Sequence, residues 1–467
     1  LGSSVLRFAS LVSTLGGLVF GYELGIISGA LLLIKVEFRL SCVQQEALVS
    51  SLLAGALLAS IVGGWLIDHR GRRSSILLGN VLILTGSLVL LIDSYSALVV
   101  GRMAVGFAMC ISSMSCCIFV SEMVAPDRRG LLVTAYEAGI TVGILAAYAM
   151  NYILSDSEGG WKWMFGLAIV PTTIQLVAIW FLPSTGDPRA GLRAESRAVQ
   201  YNSTCLFQRK DNMRTRILIG LGLVLFQQFT GQPNVLLYAS TIFHAVGFRS
   251  NASAVLASVG LGSVKVVVTL LSMVFSDRVG RRPLLIGGCS VMALCLITIG
   301  LLSGGSAMNA GRPCGSEIQP GDPSAPPLPP RGSVVNWIIL LCMMAVVGAY
   351  SVGFGPMTWL LLSEIFPAAI RGRAFAFTNC FNWAANLLVT FTFLDFIDAV
   401  GLSGTFLLYG ITAVAAGLFF YLVLPETKGK TLEEIDEELR LNKYRLYFWR
   451  GPSPQYQRVR CQVSESG

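Results

Sequence analysis

Histidine is nearly absent: His69 and His244 are the only two in 467 residues. A His-based catalytic centre or zinc site is therefore not expected. Charge is sparse as well, with 13% charged residues against 54% hydrophobic ones and a mean hydropathy of +0.67. This balance excludes an ordinary soluble globule and reads as a polytopic membrane protein in contact with lipid. The net charge of +8 does not signal nucleic acid, because the basic residues fall in short clusters between apolar runs. The 11 cysteines form no CxxC pairs with metal spacing. Cys116, Cys117, Cys289 and Cys380 lie in apolar runs and read as small hydrophobes. Cys42 and Cys314 fall in predicted outer loops, where pairing is open but nothing requires it. No nucleophile–base pair, metal cluster or phosphate-cradling glycine loop is present, so neither an enzyme nor a cofactor is expected. No cleavable signal peptide is expected either, since the first apolar run is already of spanning length.

What the chain has is apolar runs, about twelve of them, each long enough to span a bilayer as a helix. They begin near Phe8, Ala47, Ser75, Ala97, Leu131, Trp161, Ile217, Ala252, Pro283, Ser333, Ala374 and Leu402. Arginines and lysines gather after the even-numbered runs: Arg70, Arg72 and Arg73, then Arg128 and Arg129, Arg189 to Arg214, Arg278 to Arg282, and Arg371 and Arg373. The positive-inside rule makes that side cytoplasmic and places both termini there. The expected organisation is an N-terminal six-helix half over 1–182, a cytoplasmic loop over 183–214, and a second six-helix half over 215–424. That second half contains a Gly/Pro/Ser-rich outer loop at 304–332, and a cytoplasmic tail follows over 425–467. In the tail, Leu432, Ile435 and Leu439 share one face and predict a surface helix. Asn251-Ala252-Ser253 is an outer glycosylation sequon close to the membrane. Asn202-Ser203-Thr204 also matches, but on the cytoplasmic side, where it is expected to be silent.

The chain repeats itself. Asp68-His69-Arg70-Gly71-Arg72-Arg73 after the second run returns as Asp277-Arg278-Val279-Gly280-Arg281-Arg282 after the eighth. Ser121-Glu122…Arg129-Gly130 after the fourth returns as Ser363-Glu364…Arg371-Gly372 after the tenth. Two similar six-helix halves are a transporter plan. Asp68, Arg72, Arg73, Glu122, Arg129, Asp277, Arg281, Arg282, Glu364 and Arg371 are then expected to form an intracellular gate, ion pairs locking the halves when the inner side is closed. Their bland reading is as positive-inside anchors, which does not account for the acids recurring at matched positions.

The run from Ile217 to Val246 carries no charge, yet it holds Gln227-Gln228-Phe229-Thr230-Gly231-Gln232-Pro233-Asn234 at mid-depth. Such amides are costly in a bilayer unless they line a cavity or meet partners. Gln227 and Asn234, seven apart, are expected on one helix face. Carboxamides both donate and accept, which suits a polyhydroxylated ligand. The alternative is that they only hold helices together.

These features, with Gly355-Pro356-Met357-Thr358-Trp359, Asn382-Trp383 and Pro425-Glu426-Thr427-Lys428-Gly429, resemble the sugar porter branch of the major facilitator superfamily. Specifically, they resemble class III of the facilitative glucose transporters, over nearly the whole chain. The resemblance implies an all-α membrane protein with twelve transmembrane helices in two pseudo-symmetric halves. It implies a small-molecule sugar as the partner, with Gln227, Gln228, Asn386 and Asn234 on its hydroxyls and Trp359 as an apolar wall. Trp359 follows Gly-Pro, which is expected to loosen the helix.

The chain departs from the family at four places. Pro233 takes the usual Asn position, displacing the amide to Asn234. Glu137 takes a sugar-binding Gln position and Lys265 an Asn position, which suggests that the two pair. Pro183-Ser184-Thr185 lacks the family's acid and arginine. Glu23, mid-span in the first run, sits where related proton-coupled xylose carriers have a carboxylate, and Arg102 matches their arginine, so the two are candidates for proton coupling. The first reading is facilitative transport of a hexose (D-glucose type) or dehydroascorbate by alternating access, in an endomembrane or the plasma membrane. The rivals are proton–sugar symport through Glu23, a permanently ionised structural Glu23–Arg102 pair, and a non-transporting sugar receptor.

Overall fold

The computed structural model describes residues 3–70, 72–123, 129–181, 212–248, 250–304, 334–366, 371–428, 430 and 432–441. All regular structure among them is helical. In the first half, α1 covers Ser3–Glu37, α2 Cys42–Arg70, α3 Arg72–Val89, α4 Tyr95–Met123 and α5 Arg129–Ile153, each an unbroken span. The sixth span is α6 (Gly160–Gly166) followed by α7 (Ile169–Trp180).

The second half is jointed. Its first span comprises α8 (Met213–Phe229), α9 (Gln232–Leu237) and α10 (Ala239–Val246). Then come α11 (Asn251–Val279) and α12 (Arg281–Ser303), each unbroken. The tenth span is α13 (Val334–Val352) with α14 (Phe354–Ile365). The eleventh is α15 (Arg371–Phe391) continued by the start of α16 (Phe393–Val423), which breaks at Gly401 so that its remainder forms the twelfth. Among the described residues, eight stretches are each long and apolar enough by themselves to cross a membrane. The protein is thus a multi-pass membrane protein of twelve spans, with both ends of the described chain at one end of the bundle, here called the terminal end; the opposite end is the far end.

Close helix contact needs small residues where packing rather than the hydrophobic effect drives association. The pairing of α1 with α5 shows this: a Cβ added at Gly21 would lie 1.9 Å from the Ile140 carbonyl oxygen, and one at Gly143 2.2 Å from that of Leu18. The halves meet through α5 against α11 and α2 against α15, while α1 packs on α9 and α10. Toward the far end, polar contacts join them. Ser28 Oγ donates to Ser240 Oγ at 3.0 Å and accepts from the Ser240 N–H at 3.0 Å. The Tyr148 hydroxyl donates to the Leu236 carbonyl at 2.7 Å. On the terminal side of the middle, Asn379 Nδ2 donates to Ser60 Oγ at 3.2 Å. The far end is therefore closed.

After the last span, α17 (Leu432–Leu441) lies against the second half with Ile435 and Leu439 buried. It is pinned by Arg216, fully buried, which bonds the Ile365 carbonyl at 2.7 Å and pairs with Asp436 at 2.7 Å. Cys42 is disulfide-bonded; Cys314 lies outside the described residues.

Candidate functional site

The joint between α8 and α9 organises the site. Gly231 has φ +79°, the left-handed region, and the Tyr409 ring stands where its Cβ would be, at 2.2 Å. A side chain is excluded there on both counts. Pro233 follows in the first turn of α9, where its missing N–H costs nothing. This break changes one expectation. Gln227 and Asn234 do not share a continuous helix face; each turns to a different neighbour. Gln227 Nε2 donates to the Tyr350 hydroxyl on α13 at 2.8 Å. Asn234 Nδ2 donates to Tyr409 Oη on α16 at 2.8 Å and to the Val389 carbonyl on α15 at 3.1 Å.

Gln228 Nε2 donates to Asn382 Oδ1 on α15 at 2.6 Å. In all three amides the nitrogen is spent on protein, while the side-chain carbonyl oxygens of Gln227, Gln228 and Asn234 have no partner among the described residues. The Nε2 of Gln232 has none either. Buried carbonyl oxygens without donors are unusual and call for a donor. Asn386, one turn beyond Asn382, is half-buried and accepts from Thr390 Oγ1 at 3.2 Å. Trp359 is half-buried against Phe375, ring centroids 5.7 Å apart, and Trp383 meets Phe20 of the first half at 6.4 Å. The helix before Trp359 does break, but at Gly353 (φ −89°, ψ −86°) rather than at Pro356. Pro356 sits inside the first turn of α14, where proline disrupts nothing.

Glu137 is half-buried on α5, facing α11 of the other half, and Lys265 on α11 is buried. They are near enough to feel each other's charge, yet they form no ion pair within 4.0 Å. Instead the Lys265 ammonium lies 5.5 Å from the centre of the Tyr350 ring. A chain of contacts thus runs from Lys265 through Tyr350 to Gln227.

Glu23 and Arg102 are both fully buried in the first half. The guanidinium donates to the Glu23 backbone carbonyl at 2.9 Å and stands 3.7 Å from its carboxylate, with the Phe165 ring 5.9 Å away. Neither carboxylate oxygen has a hydrogen bond. The pair is loose: the arginine is anchored chiefly by main chain, and the carboxylate is held by charge alone.

Of the expected intracellular gate, the side chains of Asp68, Arg72, Glu122, Arg129, Asp277 and Arg371 lie outside the described residues. The described contacts of the others lie within their own half. Arg73 donates to the Trp180 carbonyl at 2.7 Å. Arg281 pairs with Glu364 at 3.6 Å, and Arg282 donates to the Tyr421 carbonyl at 2.6 Å. Glu426 accepts from the backbone N–H groups of Arg281 at 3.2 Å and Arg282 at 3.1 Å, capping α12. Asn251 opens α11, half-buried, with Ser250 as its N-cap. The other sequon, Asn202-Ser203-Thr204, and Pro183-Ser184-Thr185 lie outside the described residues.

Tyr350, Tyr409 and Asn382 hold the amides of the candidate site, yet sequence reasoning did not assign them to it. A tyrosine in an apolar run reads as packing; only its hydroxyl, pointed at an amide, reveals otherwise.

Two six-span halves define a membrane protein of the major facilitator type. Residues 9–189 and 187–439 match the family described as "Sugar (and other) transporter", and the chain belongs to that family, a family of transporters rather than enzymes. Among curated proteins it is similar to "Solute carrier family 2, facilitated glucose transporter member 10" of Danio rerio, 54% identical over 98% of this chain and 99% of the relative. The human protein of the same name is 49% identical over 95% of each. Member 12 of Homo sapiens is 40% identical over 93% of this chain and 85% of its own. Among solved structures, a D-xylose–proton symporter superposes with TM-score 0.73 at 28% identity, covering 91% of this chain and 99% of that one. The proton:xylose symporter XylE bound to 6-bromo-6-deoxy-D-glucose gives 0.72 at 26% identity, covering 94% and 100%.

Proposed function

We propose that the protein is a facilitative carrier of a D-glucose-type hexose, with dehydroascorbate as the second candidate substrate. It works by alternating access, the halves rocking around a substrate held between them. The observation that carries this reading is the set of partnerless carbonyl oxygens on Gln227, Gln228 and Asn234. Their amide nitrogens are fixed by Tyr350, Asn382 and Tyr409, so the oxygens are held in place as acceptors for hydroxyl donors. Trp359 supplies an apolar face for the ring, and Asn386 and Glu137 add polar contacts at the edge. The relatives named as facilitated glucose transporters support the assignment.

In this reading the terminal end is cytoplasmic and the far end faces the exterior or an organelle lumen, in an endomembrane or the plasma membrane. The arginines at the terminal end accord with that orientation. The structure then stands in a state closed toward the outside.

A second reading, proton–sugar symport, is favoured by one observation: the Glu23 carboxylate has no hydrogen bond, and Arg102 faces it at 3.7 Å without bonding it. Its ability to exchange a proton is therefore not blocked by a tight pair. The symporter names of the structural relatives point the same way.

Uptake of labelled 2-deoxyglucose and dehydroascorbate into proteoliposomes, with and without an inward proton gradient, separates these. Uptake that stops at equal concentrations and ignores the gradient is the expected result. Concentrative uptake that collapses with a protonophore and is lost in Glu23→Gln installs the symporter. Sugar binding without uptake leaves a receptor.

A further inference from the structure

The eleventh span breaks at Thr392, and its continuation, α16, begins without a cap of its own. Thr392 stands at the N-cap position, but its hydroxyl donates back to the Leu388 carbonyl at 2.9 Å. The backbone N–H groups of Leu394 and Asp395, second and third in the helix, are those a capping side chain normally serves. They are served from the other half of the molecule. Glu46, near the start of α2 and fully buried, accepts both through one oxygen, at 2.6 Å from Leu394 N and 3.0 Å from Asp395 N. Its other oxygen has no partner.

The remaining contacts across the far end follow the same logic. At the joint of the seventh span, Tyr148 and Ser28, again from the first half, bond the backbone groups of Leu236 and Ser240 on either side of Tyr238. Tyr238 in turn links the two joints: its hydroxyl donates to the Thr390 carbonyl at 3.3 Å, and its ring lies 4.9 Å from that of Phe393. Each break leaves backbone polar groups that cannot stay bare in a dry interior. With the far end closed, side chains of the first half satisfy them. Separating the halves strips them off and requires water in their place.

We propose that Glu46 is the latch of the far end, a positioning residue for transport. Its carboxylate caps α16 only while the halves are closed there, and so biases the carrier toward that state. Among the described contacts across the far end, those of Glu46 are the ones in which a single side-chain oxygen serves two backbone N–H groups at one helix start. The residue contacts no substrate group; it acts through the position of the eleventh span.

Hydrogen–deuterium exchange of the full chain in nanodiscs reads the latch directly. In Glu46→Ala, peptides covering Leu394–Asp395 are expected to exchange about tenfold faster, as the loss of a helix cap implies. Peptides covering Leu236–Ser240, at the other joint, should do so too. Glu46→Gln keeps an acceptor oxygen and should stay within about twofold of the parent protein. If the alanine variant does not fold, Glu46→Asp, one methylene too short to serve both N–H groups, carries the same expectation. Faster exchange at Leu394–Asp395 alone, or at neither joint, overturns the proposal, for Glu46 is then at most a local cap. A second arm rests on the sugar-transport reading. Sugar entry from the far side into Glu46→Ala proteoliposomes should half-saturate at up to about tenfold lower concentration, because the state open to that side is more populated. Unchanged half-saturation despite faster exchange at both joints overturns the role in transport. Exchange needs no sugar, so a protein that carries none of the compounds tried still reports on the latch.

Discussion

At the scale of single residues, the site is a set of amides committed on one side and open on the other. Gln228 is fixed by Asn382 at 2.6 Å and keeps its carbonyl oxygen free. Gln228→Ala removes one acceptor from a hydroxyl and is expected to raise half-saturation for sugar about 3- to 10-fold, with the maximal rate nearly unchanged, the loss of one neutral hydrogen bond. Initial-rate uptake against concentration checks it. Glu137 and Lys265 make a different case. Because no direct ion pair joins them, a double-mutant cycle of Glu137→Gln and Lys265→Asn on thermal stability should return a coupling of about 1 kcal/mol. A direct buried pair loses about 3–5 kcal/mol on removal of one partner. The sequence made Gln227, Gln228 and Asn234 visible because amides in an uncharged apolar run are costly. Tyr350 and Tyr409 were not visible, since their type fits an apolar run without explanation.

At the scale of elements, span starts were legible because apolar runs of spanning length have few other homes. Joints were legible only in part. Gly231-Gln232-Pro233 announces a break through a glycine and a first-turn proline, and the break is there. Gly355-Pro356 announces one too, but the helix parts at Gly353 instead. Nothing in Phe391-Thr392-Phe393 marks the third, which depends on an acid 346 positions earlier in the chain, at Glu46 against Thr392. A joint whose missing bonds are supplied from the other half cannot be read locally. The recurring charges after the even-numbered runs were legible as a set, and Arg281 and Glu364 of that set do pair; the capping of Arg281 and Arg282 by Glu426 depends on a residue too distant in the chain to be read locally. Gly231→Ala tests the best-marked joint. It forces a methyl against the Tyr409 ring at a left-handed backbone and should cost about 1–3 kcal/mol. It should also weaken sugar binding, because Tyr409 holds Asn234. Thermal unfolding and ligand binding on the same preparation check both.

For the whole molecule, a ligand held between the halves stabilises the folded carrier by mass action. D-glucose at about a hundred times its dissociation constant should add about 2.7 kcal/mol and raise the melting temperature, with L-glucose as the control. Gln228→Ala should shift that curve to higher sugar. A rise of equal size with both enantiomers would place the ligand elsewhere.

The two halves also differ in stiffness. Five of the first half's six spans are uninterrupted, and in the α1–α5 contact Gly17, Gly21, Gly139 and Gly143 each meet backbone of the facing helix, with no side chain there to yield. The second half carries the joints, at Gly231, Tyr238, Gly353 and Thr392. Deformation concentrates in the compliant member of any coupled pair, so the load of each turnover falls on the second half while the first serves as its anvil. Random substitutions should sort accordingly: apart from Glu46 and Glu23, those in the first half change mainly how much protein survives, those at the joints of the second mainly how fast it turns.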